Sequence, residues 1–165
     1  MTTVMGATYP DLYAAIAPSA GAPYAVFDAS GQRAYQEMGP RARPVPAFIL
    51  QGALDEISNY VVVGRANMLQ GLGTDDYADD GSANFSVSRL PSGTELSVLK
   101  TDVPLPLVDE HYTAHGCDLG RFLSSPYEHL INGAPFYFDS GLGLQRLMMG
   151  FLLAHRVGGV HQGCG

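Results

Sequence analysis

The sequence predicts an α/β fold, a mostly parallel sheet flanked by helices, and three observations carry that prediction. Residues 47–51 (AFILQ) read as a continuous apolar strand, the pattern of a strand covered on both faces in a parallel sheet. Near the C-terminus, Leu144, Leu147, Met148, Phe151 and Leu152 recur at helical spacing, which predicts an amphipathic helix over 142–156 with that stripe packed inward. Elsewhere short apolar runs alternate with helical stretches, the order of a layered α/β domain. A chain of 165 residues, 46% hydrophobic and 15% charged, suits a single domain with a real core rather than a disordered segment.

The elements follow in order. Residues 1–9 (MTTVMGATY) read as the tail of a helix, with Val4, Met5 and Thr8 on one face, stopping at Pro10-Asp11. Residues 12–17 (LYAAIA) read as a short buried strand that ends in a Gly/Pro/Ala turn. A helix is expected over 32–38, closed by Gly39-Pro40. Pro44-Val45-Pro46 then leads into the strand at 47–51, and residues 60–72 (YVVVGRANMLQGL) read as the next helix with Val61, Met68 and Leu69 inward. From 73 to about 120 the chain reads as an irregular insertion with proline- and glycine-spaced runs, and 121–125 as a last strand before Tyr127-Glu128-His129. Residues 158–165 (GGVHQGCG) are a glycine-rich tail.

Charge and composition exclude several classes of function. A net charge of −7 disfavours nucleic acid and anionic membrane surfaces as partners. No apolar run approaches the roughly 18 residues that a membrane span needs. No basic segment followed by an apolar core, the mark of a signal peptide, is visible either. The cluster Asp75-Asp76-Tyr77-Ala78-Asp79-Asp80 lacks the terminal bidentate glutamate of a calcium loop and reads as a solvated acidic loop. His111 and His115 stand at i, i+4 and would share a metal only on a helix, which Gly116 and the preceding prolines discourage. Neither a metal nor a cofactor is expected. His155 falls at the end of the last helix, where a cation suits the dipole. Cys117 and Cys164 have no metal-ligand spacing and are compatible with one disulfide or with two free thiols.

Two residues sit where catalysis is expected in an open α/β sheet, just past the carboxyl ends of strands. Asp55 follows the strand at 47–51 and His129 the strand at 121–125. A carboxylate that orients an imidazole, which deprotonates a serine, is the acyl-transfer arrangement, and the order Asp then His matches it. A post-strand aspartate is equally a turn former or a helix cap. Ser19, in Ala17-Pro18-Ser19-Ala20-Gly21, is close to a nucleophile elbow, but Pro23 forbids the helix that must follow.

The stretches TYPDLYAAIAPSAGAPY, AYQEMGPRARPVPAFILQGALD and LGTDDYADDGSAN together resemble the polyhydroxyalkanoate-depolymerase-type serine esterases, α/β-hydrolases related to feruloyl and acetylxylan esterases. The likeness is good over residues 1–90 and looser from 91 to 165. It implies the C-terminal part of an α/β-hydrolase, an elbow serine ahead of Met1, and cofactor-free hydrolysis of an ester or polyester. Asp55 then matches the family's acid and His129 its base, although Pro126 and Glu128 replace the glycines usual before that histidine. Glu128 would favour the protonated imidazole. Ser19 and Tyr24 become pocket-lining, substrate-binding positions. The same resemblance implies an exported protein with a Cys117–Cys164 disulfide. A chain without its nucleophile is expected to be inactive alone and to expose the flank of the strand at 12–17 or 47–51, visible as Phe48, Ile49 or Ile16. A second copy or an N-terminal half would complete the sheet there. The alternative is a non-catalytic binding or assembly module on the same half-fold.

Overall fold

The computed structural model describes residues 1–26, 28–83, 93–99, 107–114, 117–125, 130–131, 134–135 and 143–157. Helices α1 (Thr2–Thr8) and α2 (Gln32–Met38) precede strand β1 (Ala47–Gly52). Helix α3 opens as a π turn over Tyr60–Arg65 and continues as an α-helix over Ala66–Asp80. Strands β2 (Gly93–Leu99), β3 (Leu107–Ala114) and β4 (Cys117–Ser125) follow. The two-residue strands β5 (Leu130–Ile131) and β6 (Ala134–Pro135) form a small ribbon, and helix α4 (Leu144–Ala154) comes last.

β1 is the centre of the packing because its side chains alternate between two apolar layers. Phe48 and Leu50 join Ala15, Leu123, and Leu144 and Phe151 of α4. Ala47 and Ile49 face the other way, onto Met68 and Leu72 of α3 with Leu119 and Phe122 of β4. Helices therefore cover both faces, and the fold is α/β. The stripe read on the last helix packs as expected, with Leu147, Met148 and Leu152 around the buried Leu144 and Phe151. α2 also matches its expected span. It meets α3 closely because a Cβ on Gly31 would lie 2.2 Å from the Thr74 nitrogen, and one on Gly73 would lie 2.1 Å from the Ser30 carbonyl oxygen.

The four-stranded sheet has the order β1-β4-β3-β2. β1 and β4 are parallel, with Ala47 opposite Gly120 and Gly52 opposite Ser125. β4 with β3, and β3 with β2, are antiparallel. The sheet is thus mixed, and the expected parallel character holds only on the β1 side. Chain length explains this. Only residues 115–116 separate β3 from β4, whereas a parallel neighbour requires a crossover of about a dozen residues or more.

Four further expectations are corrected. The segment at 12–17 is not a full strand, since Leu12 is 67% exposed and pairing with β1 is limited to parallel bridges at Ile16–Ala47 and Ser19–Leu50. The Ile16 N–H donates to the Pro46 carbonyl and the Ala20 N–H to the Leu50 carbonyl, while the Ile16 and Pro18 carbonyls accept from Phe48 and Leu50. Pro18 has no N–H to place between them, so the ladder breaks into separate bridges. This segment nevertheless covers β1's outer side, and Phe48 and Ile49 are buried, not exposed edge surface. In α3, Met68 points inward, but Val61 and Leu69 are 67% and 56% exposed. Finally, the stretch read as irregular holds the second half of α3, β2, β3 and the start of β4.

Candidate functional site

The carboxyl end of β1 is organised around Asp55, which is 3% exposed. Its Oδ1 accepts the N–H groups of Ile57 and Ser58 at 2.9 and 2.7 Å. Its Oδ2 lies 3.3 Å from Nε2 of Gln51, which also donates to the Ser58 carbonyl at 2.6 Å. Asp55 therefore forms the turn that leaves β1, and the same bonds fix the direction of its carboxylate. Gln51 is fully buried beneath it, pressed by Gly64 of α3, where a Cβ would come 2.4 Å from the Gln51 Cγ. The side chain of Asn59 caps α3 by accepting from Val61 and Val62 at 2.9 and 3.1 Å.

The neighbouring strand is tied to this turn. Ala53 N–H donates to the Ser125 carbonyl, the last residue of β4, at 2.6 Å. Parallel pairing brings the ends of β1 and β4 to one edge, and His129 is four residues beyond Ser125, about 14 Å of extended chain at most. His129 itself lies outside the described residues, as do Cys164, His115 and the side chain of Cys117. The expected Asp55–His129 contact and Cys117–Cys164 bridge are therefore not described.

Ser19 reaches the same edge through its bridge to Leu50. Its Oγ is buried and meets no hydrogen-bond partner among the described residues, and no helix starts at it. The chain turns sharply after it, with Ala20 at φ 45° in the left-handed region that alanine adopts at a cost. Tyr24 belongs to the helical layer instead. Its N–H donates to Gln70 Oε1 at 2.7 Å and its hydroxyl to Glu37 at 3.1 Å.

β3 carries two polar clusters, one on each face. Arg121 grips Asp109 through both carboxylate oxygens at 2.8 and 2.5 Å, with its guanidinium 5.4 Å over the Phe48 ring. His111 Nε2 is 3.1 Å from the same carboxylate. On the other face Arg65 pairs with Glu110 at 2.6 Å, and the Tyr112 hydroxyl donates to Glu110 at 2.6 Å. Burial, and then the Glu110 bond, push the Tyr112 phenol up to about 12. The pairs are not legible in the sequence, which reads this stretch as irregular and gives no sign of which cations meet its carboxylates. His111 being on a strand, the i, i+4 pair with His115 has no helical face to share. His155 closes α4, with Nδ1 2.7 Å from the Phe151 carbonyl and Nε2 3.1 Å from the Asp118 carbonyl. The acidic run is also not a solvated loop: Asp75 and Asp76 lie in α3 and are buried.

No protein-family model and no curated protein matches this chain.

Proposed function

We propose that the carboxyl edge of β1 and β4 is the acid–base part of a carboxylic ester hydrolase, with Asp55 as the acid that orients His129. The observation that supports this most is the environment of Asp55: a buried carboxylate, held by two backbone N–H groups, at the end of a buried strand whose parallel neighbour β4 ends four residues before His129. Such a carboxylate keeps the imidazole in one tautomer and stabilises its protonated form while it takes a proton from a serine. The serine acyl-enzyme, the ester or polyester substrate, the absence of a cofactor and an exported location come from the family resemblance. Ser19 does not supply the nucleophile, because its hydroxyl is buried and has no base beside it among the described residues. The groups of Ala17 and Ser19 that point away from β1 form the outer edge of the paired segment, where an N-terminal half or a second copy would add.

Turnover of p-nitrophenyl acetate tests the reading, comparing this chain with a form extended N-terminally through a nucleophile elbow. Hydrolysis is expected only in the extended form, and Asp55→Asn in that form should lower kcat by about four orders of magnitude. An extended form that hydrolyses the ester equally well with and without the Asp55→Asn substitution would overturn it. Absence of hydrolysis in both forms would favour the binding or assembly module.

A further inference from the structure

Between α1, α2, α3 and β1 lies a cavity of about 30 Å³, lined largely by apolar side chains such as Ala7, Ile16, Met38 and Ile49. That is room for one or two water molecules. Into its wall is set Asp75 of α3, which is 3% exposed. Oδ1 accepts the Val45 N–H at 2.8 Å, while Oδ2 meets no hydrogen-bond partner among the described residues. Val45 stands between Pro44 and Pro46, so its N–H is the one backbone donor of the segment that feeds β1. Asp75 is thus the tie between α3 and the entry of the central strand.

We propose that Asp75 and this cavity form a proton-binding site that sets how tightly α3 is clamped to the entry of β1. Hydrogen-bond accounting supports it. An ionised carboxylate here would be desolvated with a single donor, which is costly. The neutral acid keeps the Val45 bond on Oδ1 and turns an Oδ2–H toward the cavity, where a water can accept it. The other cavity-lining residues from α1, α2, β1 and α3 are uncharged. The charge that acts on Asp75 is Arg43, whose guanidinium is held on the carbonyls of Pro10 and Tyr13. Burial outweighs both the Val45 bond and Arg43 and pushes the carboxyl up to about 7. Ionisation at higher pH draws water into the cavity or the carboxylate out of it, and the clamp loosens.

The sign follows from the two states. The unfolded carboxyl titrates near its ordinary 3.8 and the folded one near 7. The site's contribution is therefore complete below about 4, is lost as pH rises to about 7, and is flat above. Over that window the folded-to-unfolded ratio should fall by about tenfold per pH unit from this site. Denaturant unfolding of the whole chain across pH 4 to 8, with Asp75→Asn beside wild type, and carbon-13 titration of the wild-type Asp75 carboxyl, test it. The expected result is a titration near neutrality in the folded protein and loss of that slope in the variant. A carboxyl that titrates below about 5, or a variant that keeps the wild-type slope, would overturn the proposal. Should Asp75→Asn fail to fold, the carboxyl titration decides alone.

Discussion

The two halves of the sheet are stabilised by different chemistry. On the β1 side, strands run parallel between α3 and α4, and Phe48, Ile49 and Leu50 are at most 2% exposed. On the β3 side, strands run antiparallel, and β3 places Asp109 and Glu110, both buried, on opposite faces. The first half is held by apolar area, which needs no particular partner. The second is held by Arg121 and Arg65, reaching in from a neighbouring strand and from α3. Apolar burial is non-directional, while a buried carboxylate is tolerated only where a cation and donors meet it. The candidate site stands on the boundary at the β1 end, where an apolar strand gives way to the polar turn of Gln51, Asp55 and Ser58.

The contrast can be broken by single substitutions. Phe48→Ala should have the largest effect, about 3–5 kcal/mol by denaturant unfolding, because both the α4 layer and the Arg121 stacking depend on that ring. Asp109→Asn should cost about 2 kcal/mol, since it strands a guanidinium that is only 15% exposed. Converting the pair together, Asp109→Leu with Arg121→Met, should recover most of that loss. If the double variant is as unstable as the single one, the β3 half depends on its charges for more than compensation. Glu110→Gln should be the mildest, because Arg65 is 36% exposed and water replaces much of the pairing. Its clear readout is the Tyr112 phenol, which should titrate below its present value of about 12 once the carboxylate is neutral. Because that phenol is raised from 10, the fold loses stability as pH climbs from 10 toward 12, and Glu110→Gln should weaken this loss.

The same difference explains what the sequence disclosed. β1 was legible as a continuous apolar run, the inward stripe of α4 as an apolar helical period, and α2 from the Gly39-Pro40 stop that closes it. The second half of α3 was not, because its buried residues there are Gly73, Thr74, Asp75 and Asp76, and a polar buried face leaves no hydrophobic period to read. β3 was hidden for a related reason: its Asp109-Glu110-His111-Tyr112 run is polar, and beyond its own i, i+2 pairs the carboxylates are met by Arg121 and Arg65, which the local sequence does not reveal. At the site, Asp55 was legible from its place after a strand. Gln51 and Ser58 were not, since their role comes from the fold of the turn rather than from spacing. Pro18 shows the converse: one residue, visible in the sequence, breaks a ladder that its apolar neighbours alone would predict.

The most direct test of an Asp55–His129 pair at this edge is the titration of the His129 imidazole, followed by NMR in the wild-type chain and in Asp55→Asn. Asparagine keeps the shape of the turn and its acceptance of the Ile57 and Ser58 N–H groups, so the fold should be retained. A carboxylate beside an imidazole favours its protonated form. With the pair in place, His129 should titrate at lower pH in the variant than in the wild type. Superimposable titration curves in two folded proteins would contradict it.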